Sequence, residues 1–473
     1  MDLFHTEWKR KFSTTLYKDL KLRLAEMSFA KDFVNDRRGD LYPVLEKSDD
    51  CAETVTENCY RVMGGRVCRF VCQFFPYGTY ELSAKHGGGA AGFVFRLPDA
   101  EARVILRDRE LVFTCGDAEE KHPLPEYAWE ECTLIVGCRP SALDVYFKRN
   151  GKPEHSVSFA AESFAESERY ERFSGGGALL YVEGEVTVTA VESYLDSGVS
   201  LADMRSIRYE NGEVMVEQGK IYLTASIRMW EEKFQGVFSW VPGTAEFELT
   251  GALFYDSGDG RWCGDVAASV LYHRAEKQWY LWVCSFAHDH VLGHAAFEGD
   301  PRFGVNVIDI ELMEKAPEGA PIGEFLGFFG DEDPDFYYDE TAGLWRMAIC
   351  RKDPATRSYR YVFFESERPF EGYRVIGQGR DGAETGGSFV KINGAQYFIC
   401  GNDFHAVSDY RIYHEGGMIR PSFDYPDGGF RGWGTLLPIR MGSRTRYFWL
   451  TFDRHGGSDW TWSYGNIYCF EAD

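Results

Sequence analysis

Three carboxylates stand in settings that suit acid–base work: Asp265 in Arg261-Trp262-Cys263-Gly264-Asp265-Val266, Asp333 in Gly330-Asp331-Glu332-Asp333-Pro334, and Glu384 in Ala383-Glu384-Thr385-Gly386-Gly387. Each precedes a short apolar run, which places it at the head of a strand. Glu210, Asn211 and Glu213 form a fourth group of this kind, and Trp433 heads a fifth. If these strand heads converge, one carboxyl could protonate the leaving oxygen of a glycosidic bond while another activates water or attacks the anomeric carbon. The plain alternative for each is a strand-opening turn or a solvated charge.

Other side chains near these positions suit ligand binding. Arg261 and Arg380 each stand four residues before a carboxylate and could hold a carboxylate, uronate or phosphate, or form surface ion pairs instead. Trp262 lies beside Arg261, and Trp433, in Phe430-Arg431-Gly432-Trp433-Gly434, could stack on a sugar ring or pack between sheets. His455 ends a strand at Thr451-Phe452-Asp453-Arg454-His455. In His288-Asp289-His290, histidines two apart would share one face of a strand, a spacing a metal could use; His288 is read instead as lining a substrate funnel, with no metal and no cofactor expected.

The elements that must position these groups repeat. Tyr222, Tyr280, Trp345, Tyr397 and Tyr447 each centre an apolar strand and are roughly 50 to 65 residues apart, a spacing that suits propeller blades. Five blades in a ring would start their inner strands on one face of a disc and gather the carboxylates there. Before the repeats, Arg69–Phe74, Gly92–Leu97, Cys132–Val136 and Leu143–Phe147 alternate in the manner of sandwich strands. The fold class predicted is all-β, with a β-sandwich (jelly roll) over residues 46–200 and a five-bladed β-propeller over 201–473. Residues 1–45 read as a helical or extended N-terminal segment, from patterns such as Tyr17-Lys18-Asp19-Leu20-Lys21-Leu22.

Composition narrows the partners. A formal charge of −23 repels phosphate backbones and anionic lipid, so neither nucleic acid nor membrane is expected. The 12 cysteines are scattered without a CxxC pair and read as buried thiols rather than a zinc site or a disulfide framework. The first residues lack the basic and apolar regions of a secretion signal, which gives a cytoplasmic location as the expectation.

Three stretches carry a resemblance. Gly330–Asp339, Ala383–Gly394 and Arg261–Val266 resemble blade motifs of glycoside hydrolase family 43 and, more distantly, family 32. The run Gly177–Val188 resembles the final strands of concanavalin-like jelly rolls that accompany many glycosidases. The resemblance implies an oligosaccharide substrate, an inverting hydrolysis, Glu384 as general acid, Asp333 as the carboxylate that tunes and orients it, and Asp265 on the channel wall. The family's first-blade aspartate falls on Asn211, a neutral amide that cannot take a proton from water. The base is thereby left among Glu210, Glu213 and Asp265. A non-catalytic glycan-binding propeller and a phosphate-dependent glycoside phosphorylase are the alternative readings.

Overall fold

The computed structural model describes residues 7–27, 42–56, 58–129, 131–316, 326, 330–353, 358–379, 382–402, 410–414, 417–424, 430–453 and 466–472. The chain divides into two compact units, one formed by residues 1–20, 197–259 and 263–473, the other by 21–196 and 260–262.

The first unit is a five-bladed β-propeller. Its inner strands are Ser200–Ser206, Val266–His273, Asp331–Asp339, Glu384–Ile392 and Phe430–Met441, and they adjoin one another in that order and back to the first. Antiparallel to them run Lys220–Arg228, Gln278–Ser285, Leu344–Lys352, Ala395–Asn402 and Arg444–Asp453, which carry the five repeated aromatics. These second strands are apolar because blades pack face to face and bury both surfaces. Aromatic rings bridge successive blades: Tyr280 and Trp345 lie 5.6 Å apart, Tyr361 and Phe398 4.6 Å, and Trp240 and Phe448 5.6 Å. Such pairs add to the area they bury.

The N-terminal residues differ from expectation. Glu7–Thr14 is a strand that pairs antiparallel with Ile467–Ala472 and completes the fifth blade, with Lys9 opposite Glu471 and Thr14 opposite Ile467. Trp8 is wholly buried there, edge-on to Trp449 at 5.3 Å and stacked on Phe423 at 6.0 Å. Lys21–Met27 is also a strand, paired with Val191–Asp196 in the other unit. The sequence Lys-Leu-Arg-Leu alternates with a period of two, which suits a pleated strand, the extended rather than the helical form of that expectation. The predicted boundary at 45/46 therefore gives way to one at 20/21.

The second unit is the predicted sandwich. A seven-stranded and an eight-stranded sheet enclose a core that includes Tyr80, Leu82 and Val136 from one side and Phe93, Phe95 and Phe113 from the other. All 12 cysteines of the chain are free thiols, most of them buried.

Substituting Trp8→Ala is expected to cost about 3–5 kcal/mol, the usual range for removing a large buried aromatic. Urea denaturation monitored by near-UV dichroism reads this, and a loss below about 1 kcal/mol would mean the N-terminal strand is not part of the blade.

Candidate functional site

The inner strands share one local device. In the first four blades, three residue steps on the inner strand span two on its partner: Ala202 and Arg205 face Ser226 and Thr224, and the same offset recurs at Val266/Ser269, Glu332/Asp335 and Thr385/Ser388. Each is a β-bulge, which re-aims the side chain at that point. Within each bulge sits a residue of left-handed backbone, namely Asp203 (φ 52°), Ala267 (φ 60°), Asp333 (φ 50°) and Gly386 (φ 57°). Asp203 and Asp333 thus hold equivalent places in blades one and three. Left-handed backbone at three non-glycine residues costs of order 1–3 kcal/mol each and is retained where the surroundings enforce it.

These bulges face a cavity of about 330 Å³ lined by Asp203, Glu332 and Asp333 with Arg228, Lys233, His290 and Tyr359. That volume lies at the lower end of the ~300–1,000 Å³ range of small-molecule sites. Asp333 Oδ2 accepts hydrogen bonds from the Gly386 amide (2.9 Å) and the Thr385 hydroxyl (3.2 Å), while Arg205 Nη2 stands 3.8 Å from its Oδ1. Asp203 Oδ2 accepts from Ser226 Oγ at 2.6 Å. Burial, and then the charge of Asp333, push the Asp203 carboxyl up to about 6. Glu332 Oε1 accepts from Tyr359 Oη at 2.8 Å and pairs with His290 Nδ1 at 2.9 Å.

Asp333, alone among the four sequence-predicted catalytic residues, lines this cavity. Glu384 is wholly buried two residues before its bulge: Oε2 accepts from the Tyr361 amide at 2.9 Å, Oε1 accepts from the Tyr413 hydroxyl, and Arg411 Nη1 lies 3.7 Å away. A carboxylate so enclosed between strands of blades three and four tethers the blades; its neighbour Thr385 is the residue that lines the cavity. Asp265 holds the equivalent place in blade two. Its Oδ1 accepts from the Ala287 amide at 3.1 Å, and burial raises its pKa. Asp331, in the same place in blade three, is paired with Arg351 at 2.7 Å.

The other candidates disperse. Glu210 forms an ion pair with Arg274 at 2.7 Å, and its backbone bonds Tyr272 and Tyr338, toward the far ends of inner strands whose heads line the cavity. Asn211 belongs to the same segment, where its side chain donates to Glu340 and accepts from the Glu213 amide. Arg261 and Trp262 belong to the sandwich unit: Arg261 pairs with Glu166 at 2.8 Å, and Trp262 stacks on Tyr170 at 5.4 Å. His288 is held by Ser257 and Ser285 hydroxyls, whereas His290, two residues on, reaches the cavity. Arg380, His455 and the side chain of Trp433 lie outside the described residues. Among the described residues, no cluster of three His, Cys, Asp or Glu side chains could hold a metal ion.

Asp203, Glu332, Arg228 and Lys233 were not singled out in the sequence. The usable signal was the recurrence of Leu201-Ala202-Asp203-Met204-Arg205 against Asp331-Glu332-Asp333-Pro334-Asp335, with an aspartate two residues ahead of a charged one. Counting back from Tyr222 missed it, because Ile207–Gly219 lies between the inner and second strands of blade one.

No family model and no curated protein sequence matches the chain. Solved structures similar to it include the α-L-arabinofuranosidase PaAbf62A from Podospora anserina in complex with cellotriose (11% identity, TM-score 0.37, 58% of this chain and 91% of that one). A thermostable family-43 glycoside hydrolase is similar at 14% identity and TM-score 0.35, over 57% of this chain and 88% of that one. The carbohydrate binding module CBM66 from Bacillus subtilis is similar at 12% identity and TM-score 0.25, over 32% of this chain and 94% of that one. Identities this low leave the chemistry to the cavity's own residues.

The raised carboxyl of Asp203 links stability to pH. Between 3.8, its ordinary value, and about 6, the folded protein keeps a proton that the unfolded chain has released. The stabilisation from that proton is complete below pH 3.8 and lost as pH rises through about 6. Such a rise corresponds to at most roughly 3 kcal/mol. Asp203→Asn is therefore expected to be more stable than the parent protein by about 1–3 kcal/mol at pH 8, with the gap closing by about pH 4. Urea denaturation at the two pH values measures this, and equal differences at both would place the carboxylate in water.

Proposed function

We propose that the propeller hydrolyses a glycosidic bond in an oligosaccharide, with Asp203 as proton donor and Asp333 as the carboxylate that activates water. The observation that carries this reading is the pair of aspartates at equivalent bulges of blades one and three, lining one cavity. The carboxyl raised by its surroundings suits the acid, and a neighbour surrounded by donors suits the base. The resemblance of Gly330–Asp339 to a family 43 motif implied a tuning and orienting role for Asp333; in this reading Asp333 takes the base's place instead, and the proton donor moves from Glu384 to blade one.

In this scheme Asp203 gives its proton to the glycosidic oxygen as the bond from that oxygen to the anomeric carbon breaks. Water attacks the carbon from the opposite face and yields its proton to Asp333 Oδ1. The other oxygen is held by Gly386 and Thr385, so the accepting lone pair is aimed before the substrate arrives. Inversion of the anomeric centre follows from a single displacement. Glu332, steadied by Tyr359 and His290, is placed to receive sugar hydroxyl groups. The burial of Glu384 favours one second reading, a propeller that binds glycans without cleaving them. Calorimetric binding of an oligosaccharide with no product after long incubation would favour that reading.

Asp203→Asn and Asp333→Asn are each expected to lower kcat by about 10²- to 10⁴-fold on a cleaved aryl glycoside. Activity of the parent enzyme should fall as pH rises above about 6, where Asp203 loses its proton. Glu384→Gln should keep that alkaline limb even where it lowers stability. Near-parental turnover in Asp203→Asn would remove it from the mechanism, and proton NMR of the first product reads the anomeric outcome.

A further inference from the structure

The acidic and basic halves of the cavity are unequally satisfied. Glu332 and Asp333 have close hydrogen-bond donors, as described above. Arg228 is matched only by a long ion pair, and Lys233 by no acceptor among the described residues. They stand directly opposite each other at the end of the hairpin joining Lys220–Arg228 to Lys233–Trp240, across the loop Met229–Glu232. Like charges directly opposite on neighbouring strands destabilise a sheet. The carboxylate nearest Arg228 is Asp203, 4.0 Å away, and Arg228 Nε is buried without a partner.

Lys233 is the sharper case. It makes no hydrogen bond or ion pair among the described residues, and its ammonium rests 4.5 Å from the centre of the Phe286 ring. Burial, followed by the charge of Arg228, lowers its pKa, while Glu232 and Asp265 pull the other way without bonding to it. A partly desolvated cation beside a second cation is disfavoured unless an anion joins them. The hydroxyls of a neutral sugar would give hydrogen bonds but leave the charge of Lys233 uncompensated and that of Arg228 met only by the long pair to Asp203. An oxyanion supplies acceptors and charge together, and charge-assisted bonds are about twice as strong as neutral ones.

We infer that the ligand of this cavity brings an oxyanion, seated between Arg228 and Lys233, either as the carboxylate of a uronic acid residue or as inorganic phosphate entering beside the sugar. The inference rests on the glycosidase reading for its setting and adds to it the class of substrate. It draws only on blade one and the cavity wall.

The test compares aryl glycosides that differ only at C6, a glucuronide with a glucoside and a galacturonide with a galactoside, each with and without inorganic phosphate. The parent enzyme is expected to favour the uronide at least tenfold in kcat/KM without phosphate, or to need phosphate for the neutral sugar. Lys233→Gln should lower that anionic-to-neutral ratio, or the phosphate dependence, by about 10- to 100-fold, and Lys233→Arg should restore most of it. Neutral glycosides preferred without phosphate, and a ratio unmoved by Lys233→Gln, would overturn the inference and leave the hydrolase reading standing. Calorimetry with free glucuronate, galacturonate and phosphate separates the two readings when no glycoside is cleaved. Binding weakened at least tenfold by Lys233→Gln and recovered in Lys233→Arg would support the oxyanion site and sink hydrolysis. No binding of any of the three anions to the parent protein, together with no preference in turnover, would sink the oxyanion site.

Discussion

Two buried guanidinium groups tie inner strands of the propeller together at its axis. Arg205, from the inner strand of blade one, donates to the carbonyls of Ala267 in blade two, Pro334 in blade three and Gly387 in blade four, at 2.5, 3.2 and 3.3 Å. Three residues on, Arg208 repeats the pattern: it donates to Phe389 and Phe336 carbonyls and forms a 2.5 Å ion pair with Asp335, itself wholly buried. Asp335 in turn accepts from Ser269 Oγ and the Phe389 amide, each from another blade. Two cations buried in a channel would be prohibitive without such partners. With them, strand heads distant in sequence are pinned to one another, and the carboxylates above are fixed in relative position.

The bulges turn this pinning into a site. A bulged inner strand leaves backbone carbonyls unpaired within its own sheet, and the three carbonyls to which Arg205 donates, those of Ala267, Pro334 and Gly387, lie inside the bulges of blades two, three and four. The same irregularity brings Asp203 and Asp333 to line the cavity. Adjacent residues therefore take different surroundings: Asp331, Asp265 and Glu384 bind their own protein, while residues one or two places on line the cavity.

The blade architecture was legible because it rests on periodicity. Aromatic second strands must fill the space between blades, so Tyr222, Tyr280, Trp345, Tyr397 and Tyr447 recur at a readable spacing. Asp333 was legible for the same reason, lying a short count before Trp345. Asp265 and Glu384 were read into the site as strand heads within motifs that resemble family 43 blades, a reading that assumes regular alternation of side chains along the strand. A left-handed residue breaks that rule, and only Gly386 among the four bulge residues advertises its backbone by type. Asp203 was hidden by the thirteen-residue excursion Ile207–Gly219, which no local pattern separates from the blade. Trp262 and Arg261 looked like channel residues by motif, yet their partners are Tyr170 and Glu166 of the sandwich.

The strand Glu7–Thr14 also governs the order in which the molecule can be assembled. Its pairing partner begins at Ile467, and the whole sandwich is threaded between it and blade one. In the chain this segment precedes every other described strand of the propeller, and its antiparallel partner is the last of them. Closing so long a loop is entropically expensive and slow, whereas the sandwich strands find partners much nearer in sequence. Until Glu7–Thr14 docks, Ile467–Ala472 presents an unpaired edge and Trp8 is without its aromatic partners, a state in which association with another chain competes with closure.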